Sequence, residues 1–337
     1  MASATTVENG AARPRYRGRL APSPTGALHL GNARTFLIAW LRARSQGGSL
    51  VLRMEDLDHP KNKPGAADAA LEDLRWLGFD WDEGPDVGGP CGPYVQTARR
   101  ERYAAALRRL VADGRAYPCV CARKDLEAAQ SAPHIGETLY YPGTCRGRFA
   151  SFAEARAAAG GRLPAWRFRV EAGETAEFDD VFCGYVAQDV SQFCGDFLLA
   201  RDEEGAGYML AVVVDDAAMG VTEVVRGDDL LETTPRQLLV YRALGLEPPA
   251  FLHVPLVLGP DGFRLAKRHG DTRVAAFREA GVPPERLLGL LAHWCGWAAE
   301  GESVSLRDLL GRFDLARLPR TPALWRGDAC LRGKAAP

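Results

Sequence analysis

The stretch RGRLAPSPTGALHLGNART, Arg17 to Thr35, sets a histidine after a proline- and glycine-rich turn and before an apolar run. A helix N-terminus gathers unpaired N–H groups and a partial positive charge, which suits phosphate. His29 falls at the expected start of that helix. Gly26 and Gly31 remove side chains where a ligand or a tight turn needs room. Two readings of the turn stand side by side. In one it cradles a nucleoside triphosphate and His29 faces the phosphates. In the other it is an ordinary strand–helix loop with a capping or core histidine. A second chemical group is made of thiols: Cys119 and Cys121 lie one residue apart, and Cys145 follows. Three thiolates and one further donor suit tetrahedral zinc. Tyr141, Tyr140 and His134 are the donors within reach, imidazole being the commoner ligand. Cys91, Cys183, Cys194, Cys295 and Cys330 show no ligand spacing and read as core or surface thiols.

These groups need elements to hold them. RGRL reads as a short strand, LHLGNARTFLIAWLRARSQGG as a helix stopped by Gly47-Gly48, and SLVLRMED as a buried strand ending in acids. Strand, glycine-rich turn, helix and strand make a βαβ unit of the nucleotide-binding kind, with the ligand at the carboxyl ends of the strands. Residues 65–77 and 97–113 read as further helices. From 115 to about 190 the chain turns rich in Cys, Gly, Pro and short β-like runs, and reads as an insertion. From Gly195 the α/β pattern resumes, and after residue 270 it is helical. The expected division is a loose tail over 1–15, a Rossmann-like half over 16–114, the insertion over 115–194, a second half over 195–270 and a helical region over 271–337. The fold class is α/β.

The totals set limits. The 337 residues are 47% hydrophobic and 25% charged, an ordinary globular composition. The net charge of −1 gives no support for a nucleic-acid partner, although RRER at 99–102 with Arg108-Arg109 offers a local basic face. No run of 18 apolar residues occurs, so no membrane span is expected. The N-terminus has no apolar core of a secretory signal, so a cytoplasmic location with reduced cysteines is expected.

The stretch APSPTGALHLGNART resembles the HIGH signature of class I aminoacyl-tRNA synthetases in its glutamyl-tRNA synthetase form, with His29-Leu30-Gly31-Asn32 as the tetrad. RMEDLD (53–58), GPYVQTARRERY (92–103), YMLAVVVDDAAMGVTEVVRGDDLL (208–231) and LGPDGFRLAKRHGD (258–271) follow in the family's order. The resemblance spans about residues 17–270. It implies a class I synthetase Rossmann-like fold with a zinc-containing insertion. It also implies a glutamate pocket built from Arg19, Leu20, Ala21, Pro22, Ser23, Glu55, Tyr208 and Arg226. Two guanidinium groups and one carboxylate complement the two carboxylates and one ammonium of glutamate. ATP would meet His29, Gly31, Asn32 and Lys267, with Mg²⁺. RLAKR (264–268) stands where the family has its KMSKS-like loop. Arg264 replaces the first Lys and Ala266 the Ser, while Lys267 is retained. An ammonium there neutralises charge that builds on the triphosphate.

Only 69 residues follow Arg268, too few for the large helical anticodon module of a glutamyl-tRNA synthetase. This brevity, with C-x-C and Y-x-x-x-C in the insertion, resembles the glutamyl-queuosine tRNA(Asp) synthetases. That resemblance makes Cys119, Cys121, Tyr141 and Cys145 the ligands of one structural zinc. The implied partners are glutamate, ATP and tRNA(Asp) carrying queuosine, and the enzyme is expected as a monomer. The alternatives are a truncated glutamyl-tRNA synthetase charging a tRNA 3′ end, a non-catalytic paralogue, and a small-molecule nucleotidyltransferase of the same fold.

Overall fold

The computed structural model describes residues 15–57, 61–122, 124–125, 140–201, 203–204, 207–263, 265, 270–327 and 331. Arg264, Ala266, Lys267, His134 and Cys330 lie outside the described residues.

β1 (Arg17–Leu20) and β2 (Ser49–Leu52) pair in parallel, with Arg17 opposite Ser49 and Leu20 opposite Leu52. Parallel neighbours need a crossover, and α1 (Leu30–Ser45) supplies it. Leu30, Ala33, Leu37, Ile38 and Leu41 are all buried, so this helix is enclosed on most of its circumference. The chain leaves it at Gln46 and turns through Gly47, whose φ of 59° favours glycine. The βαβ unit read from the sequence is thus present.

α2 (Ala66–Trp76) and α3 (Arg100–Ala112) come next, the second entered through a 3-10 turn at Gln96–Arg99. The strand-rich stretch holds β3 (Ala116–Cys119), α4 (Phe152–Ala158), β4 (Ala165–Phe168), the hairpin of β5 (Thr175–Asp180) and β6 (Gly184–Asp189), α5 (Val190–Phe193) and β7 (Phe197–Ala200). β4 lies between β3 and β7 in an antiparallel sheet. The strand in GDFLLA, read from the sequence as the return of the α/β pattern, therefore pairs inside this sheet. Its apolar face explains the placement: Phe197 stacks on Phe168 with ring centroids 4.9 Å apart.

The parallel arrangement returns with α6 (Tyr208–Ala218), β8 (Glu223–Gly227), α7 (Thr234–Leu244) and β9 (Ala250–Val254). β8 and β9 pair in parallel, with Arg226 opposite His253. β1 meets the entry to β8, where the Thr222 N–H donates to the Arg17 carbonyl at 2.8 Å. β10 (Val257–Leu258), α8 (Val274–Glu279), α9 (Pro284–His293), α10 (Leu306–Arg312) and β11 (Ala323–Leu324) complete the described elements, β11 pairing with β10. One apolar core surrounds α1 and reaches α9 and α10. A second joins α3, β4, β7, α6 and α7. The site lies where the two meet, at the ends of β1, β2 and β8.

Gly289 in α9 packs against the Glu302 backbone, and an added Cβ would overlap the Glu302 carbonyl oxygen. Gly289→Ala is expected to destabilise the fold by about 3 kcal/mol. The check is urea unfolding, with a lower midpoint at unchanged slope; a wild-type midpoint would refute the packing.

Candidate active site and metal centre

The turn after β1 delivers His29 to the N-cap of α1. Its Nδ1 accepts from the Gly31 N–H at 3.1 Å and the Asn32 N–H at 3.4 Å. That bonding holds Nδ1 as an acceptor. A Cβ on Gly31 would press on the His29 ring at 3.0 Å, whereas one on Gly26 would meet nothing. Glycine is thus required at 31 by the capping ring, while packing places no such demand on 26. Asn32 is exposed. The chain on either side of residues 264–269 comes back to this turn. Leu30 N–H donates to the Thr272 carbonyl at 3.0 Å, and Val274 N–H to the Leu28 carbonyl at 2.8 Å. Val257, at the start of β10, lies 3.9 Å from where a Gly31 Cβ would stand.

Arg19, Glu55, Tyr208 and Arg226 are brought into one cluster although they come from four elements and connections. Arg19 on β1 donates from Nη1 to the Val225 carbonyl at 3.3 Å, and its Nε stands 3.5 Å from Asp216. Glu55, past the end of β2, accepts from Arg53 at 2.9 Å, while its backbone N–H donates to the Pro22 carbonyl at 2.9 Å. Arg226 on β8 donates to His253 at 2.9 Å and to Thr234 at 2.7 Å. Arg19 and Arg226 are buried, yet among the described residues Arg19 Nε and Arg226 Nη1 have no hydrogen-bond partner. Buried donors of this kind call for an acceptor. Burial, with the neighbouring charge of Arg19, pulls the Arg226 pKa below the ordinary arginine value. An anionic ligand would offset that pressure. Tyr208 is the first residue of α6, with 43% of its surface exposed. Burial around its phenol oxygen raises its pKa, against the charge of Arg226. Leu20 and Pro22 are buried, Ala21 is half-buried and Ser23 is exposed.

Behind the cluster sits a layer that motif spacing did not reveal. Arg53 is fully buried, 2.7 Å from Asp216 and 2.9 Å from Glu55. Asp215 accepts from Arg99 at 2.6 Å, Tyr103 at 2.8 Å and Gln96 at 2.9 Å. The one available signal was the acid pair ending an otherwise apolar helix, VVVDD. His253 and Asp180 form a second buried pair, 2.6 Å apart.

The thiols of Cys119, Cys121 and Cys145 lie within 4.8 Å of one another. The Tyr141 hydroxyl joins them, 3.3 Å from Cys119 Sγ and 3.8 Å from Cys121 Sγ, and Cys121 Sγ stands 3.6 Å from Cys145 Sγ. Metal–sulfur bonds of about 2.3 Å in a tetrahedron put neighbouring donors about 3.8 Å apart. The four donors therefore fit a zinc ion in spacing and in chemistry. Tyr141 and Cys145 are buried, and the Cys145 N–H donates to the phenol at 2.9 Å. Tyr140 is 40% exposed. Arg167 on β4 was not foreseen. Its Nε donates to Cys119 Sγ at 3.3 Å, and its guanidinium lies 3.7 Å from the Tyr141 ring centroid. Without a metal, burial and the charge of Cys119 push the Cys121 thiol up to about 12. Among the other thiols, Cys194 and Cys295 are buried, Cys91 is half-buried and Cys183 is exposed.

A family described as "tRNA synthetases class I (E and Q), catalytic domain" matches residues 15–323. The glutamyl-Q tRNA(Asp) synthetase of Symbiobacterium thermophilum is 54% identical, over 90% of this chain and 94% of that protein. The protein of the same name from Nitratidesulfovibrio vulgaris is 50% identical, over 94% and 98%. The glutamate–tRNA ligase of Heliobacterium modesticaldum is 44% identical over 92% of this chain, which covers 62% of that ligase. A solved glutamate tRNA ligase from Elizabethkingia meningosepticum, in complex with its amino acid, superposes with a TM-score of 0.79 at 27% identity, over 94% of this chain and 68% of that one. With its parallel strand pairs, capped α1 and inserted antiparallel sheet, the chain belongs to the class I tRNA synthetases of the E and Q type.

Proposed function

We propose that this protein activates glutamate with ATP and transfers it to the queuosine base in the anticodon of tRNA(Asp). The observation that carries this is likeness: two relatives named for that reaction are 54% and 50% identical over 90% and 94% of this chain, against 44% for a glutamate–tRNA ligase over 92%.

In this reading the glutamate carboxylates meet Arg19 and Arg226, each of which keeps one buried nitrogen without a hydrogen-bond partner among the described residues. Glu55 receives the ammonium, and Tyr208 with the Leu20–Ser23 backbone closes the pocket. The substrate's α-carboxylate oxygen attacks the α-phosphorus of ATP. The bond from that phosphorus to the bridging oxygen breaks, and pyrophosphate leaves. His29 holds its cap through Nδ1 and so presents a protonated Nε2 to a phosphate oxygen. The α1 N-terminus at Gly31 and Asn32 adds its partial charge, and Lys267 balances charge on the departing pyrophosphate. Mg²⁺, when bound, neutralises the triphosphate further. A hydroxyl oxygen of the queuosine cyclopentene ring then attacks the acyl carbon. AMP departs, and the hydroxyl proton passes to it or to water. No protein nucleophile is needed, because the adenylate is already activated. Zinc held by Cys119, Cys121, Tyr141 and Cys145 is structural, since four protein donors fill a tetrahedron.

Purified protein should catalyse glutamate-dependent ATP–pyrophosphate exchange. Loaded with labelled adenylate, it should label tRNA(Asp) that carries queuosine and not tRNA(Asp) that lacks it. Equal labelling of both, or labelling of tRNA(Glu), would overturn the acceptor and favour a 3′-end charging enzyme. Lys267→Ala should lower exchange about tenfold or more while the circular dichroism spectrum is kept; wild-type exchange would remove Lys267 from the mechanism. Cys119→Ser should drop the zinc content from about one per chain toward zero and lower the thermal midpoint. Unchanged metal by atomic absorption would count against the site.

A further inference from the structure

Arg226 is aimed by groups from three other segments. Its Nε donates to His253 Nε2 at 2.9 Å, and its Nη2 to the Thr234 hydroxyl at 2.7 Å. Nε and Nη2 share one edge of the planar guanidinium, so that edge is occupied. Nη1, on the end edge, has no hydrogen-bond partner among the described residues. The end edge, Nη1 with the second hydrogen of Nη2, is the one left for a bidentate carboxylate. His253 is held in turn. Its Nδ1 stands 2.6 Å from Asp180 Oδ2, and both side chains are wholly buried. Asp180 also accepts backbone N–H groups from Cys183 at 2.7 Å, Phe182 at 2.9 Å and His253 itself at 3.1 Å. Its carboxylate is therefore saturated with donors and anchored to the β5–β6 hairpin.

These contacts fix the imidazole's protonation. Arginine only donates, so His253 Nε2 must accept. A carboxylate held by N–H groups only accepts, so Nδ1 must carry the proton. The ring is neutral in one tautomer. Burial lowers the His253 pKa, in keeping with that state. The chemistry of the choice matters. A carboxylate at 253 would neutralise Arg226 and compete with an incoming anion. A neutral imidazole orients the guanidinium and leaves its charge for the ligand.

We infer that Asp180 and His253 are positioning residues for amino-acid recognition: they hold Arg226 so that its end edge faces the substrate carboxylate, and they tie that recognition to the β5–β6 hairpin. This rests on Arg226 being a glutamate-binding residue in the proposed function. The two nitrogens of His253 can be tested separately. In His253→Gln the side-chain oxygen can replace Nε2 as the acceptor for Arg226. In His253→Asn the shorter amide can serve Asp180 but not Arg226.

The experiment is glutamate and ATP titration of pyrophosphate exchange in wild type, H253Q, H253N and D180N. Expected is a glutamate KM raised about tenfold or more in H253N, a smaller rise in D180N and the smallest in H253Q, with the ATP KM unchanged. Equal glutamate KM values in all four, or parallel loss of both substrates' KM and of kcat, would overturn the inference. A second measurement needs no substrate. The ¹⁵N-resolved Arg226 Nε–H, assigned by its loss in Arg226→Lys, should exchange slowly in wild type and H253Q and rapidly in H253N. Unchanged protection in H253N would overturn the inference by itself. Absence of exchange activity in wild type would instead defeat the proposed function, and the Nε–H result would then decide the positioning role.

Discussion

Arg53 is the charge on which the site depends. It is enclosed at the end of β2 with Asp216 at 2.7 Å, Glu55 at 2.9 Å and Asp215 at 3.7 Å. Burial alone would lower its pKa, but the three carboxylates outweigh this and hold it above the ordinary arginine value. A buried ion cluster adds little net stability, because desolvation offsets the Coulomb attraction; removing one member leaves a bare charge and is costly. What such a cluster supplies here is geometry. Asp216 lies against both Arg53 and Arg19, and Arg53 fixes Glu55. One arginine thereby sets the spacing between a proposed carboxylate binder and a proposed ammonium binder.

The division between what the sequence disclosed and what it hid follows from range. The βαβ unit, the capped turn and the three thiols are written in local spacing, and each is found where the spacing put it; the choice of Tyr141 over Tyr140 and His134 as the fourth donor came through resemblance. Arg19, Glu55, Tyr208 and Arg226 were legible only through resemblance, since nothing local distinguishes a pocket arginine from a surface one. The layer behind them left one local trace, the acid pair of VVVDD. Arg53 and Asp216 are 163 residues apart, and Asp180 and His253 are 73 apart. No periodicity links such pairs, and a buried arginine inside SLVLRMED looks like the polar end of a strand. The partner of strand β7 was hidden for a related reason. An apolar run of four residues fits a parallel or an antiparallel partner equally well, and only the stacked Phe168–Phe197 contact decides.

The insertion is part of the pocket's support. Asp196, at the start of β7, accepts from Arg146, from Tyr117 and from the Val170 N–H, and its carbonyl accepts from Arg167 at 3.0 Å. Arg167 in turn touches the Cys119 thiol. The thiol cluster is therefore connected through side chains to the strand that precedes α6. Gly195 completes the link: a Cβ there would overlap the Tyr141 carbonyl oxygen, and its φ of 62° is the left-handed region.

Tyr208 shows why that connection bears on recognition. It opens α6, and the residue before it, Gly207, packs so closely on β7 that a Cβ would stand 2.7 Å from the Leu199 carbonyl oxygen. The first turn of α6 is thus seated on the insertion's sheet, while Asp215 and Asp216 in its last turn anchor Arg99, Arg53 and Arg19. One eleven-residue helix spans from the sheet beside the thiol cluster to the buried charge cluster. A packed interior transmits such displacements because it has little free volume to absorb them. The insertion thus acts on the pocket from two directions. It reaches Tyr208 through β7, and it reaches Arg226 through Asp180 and His253.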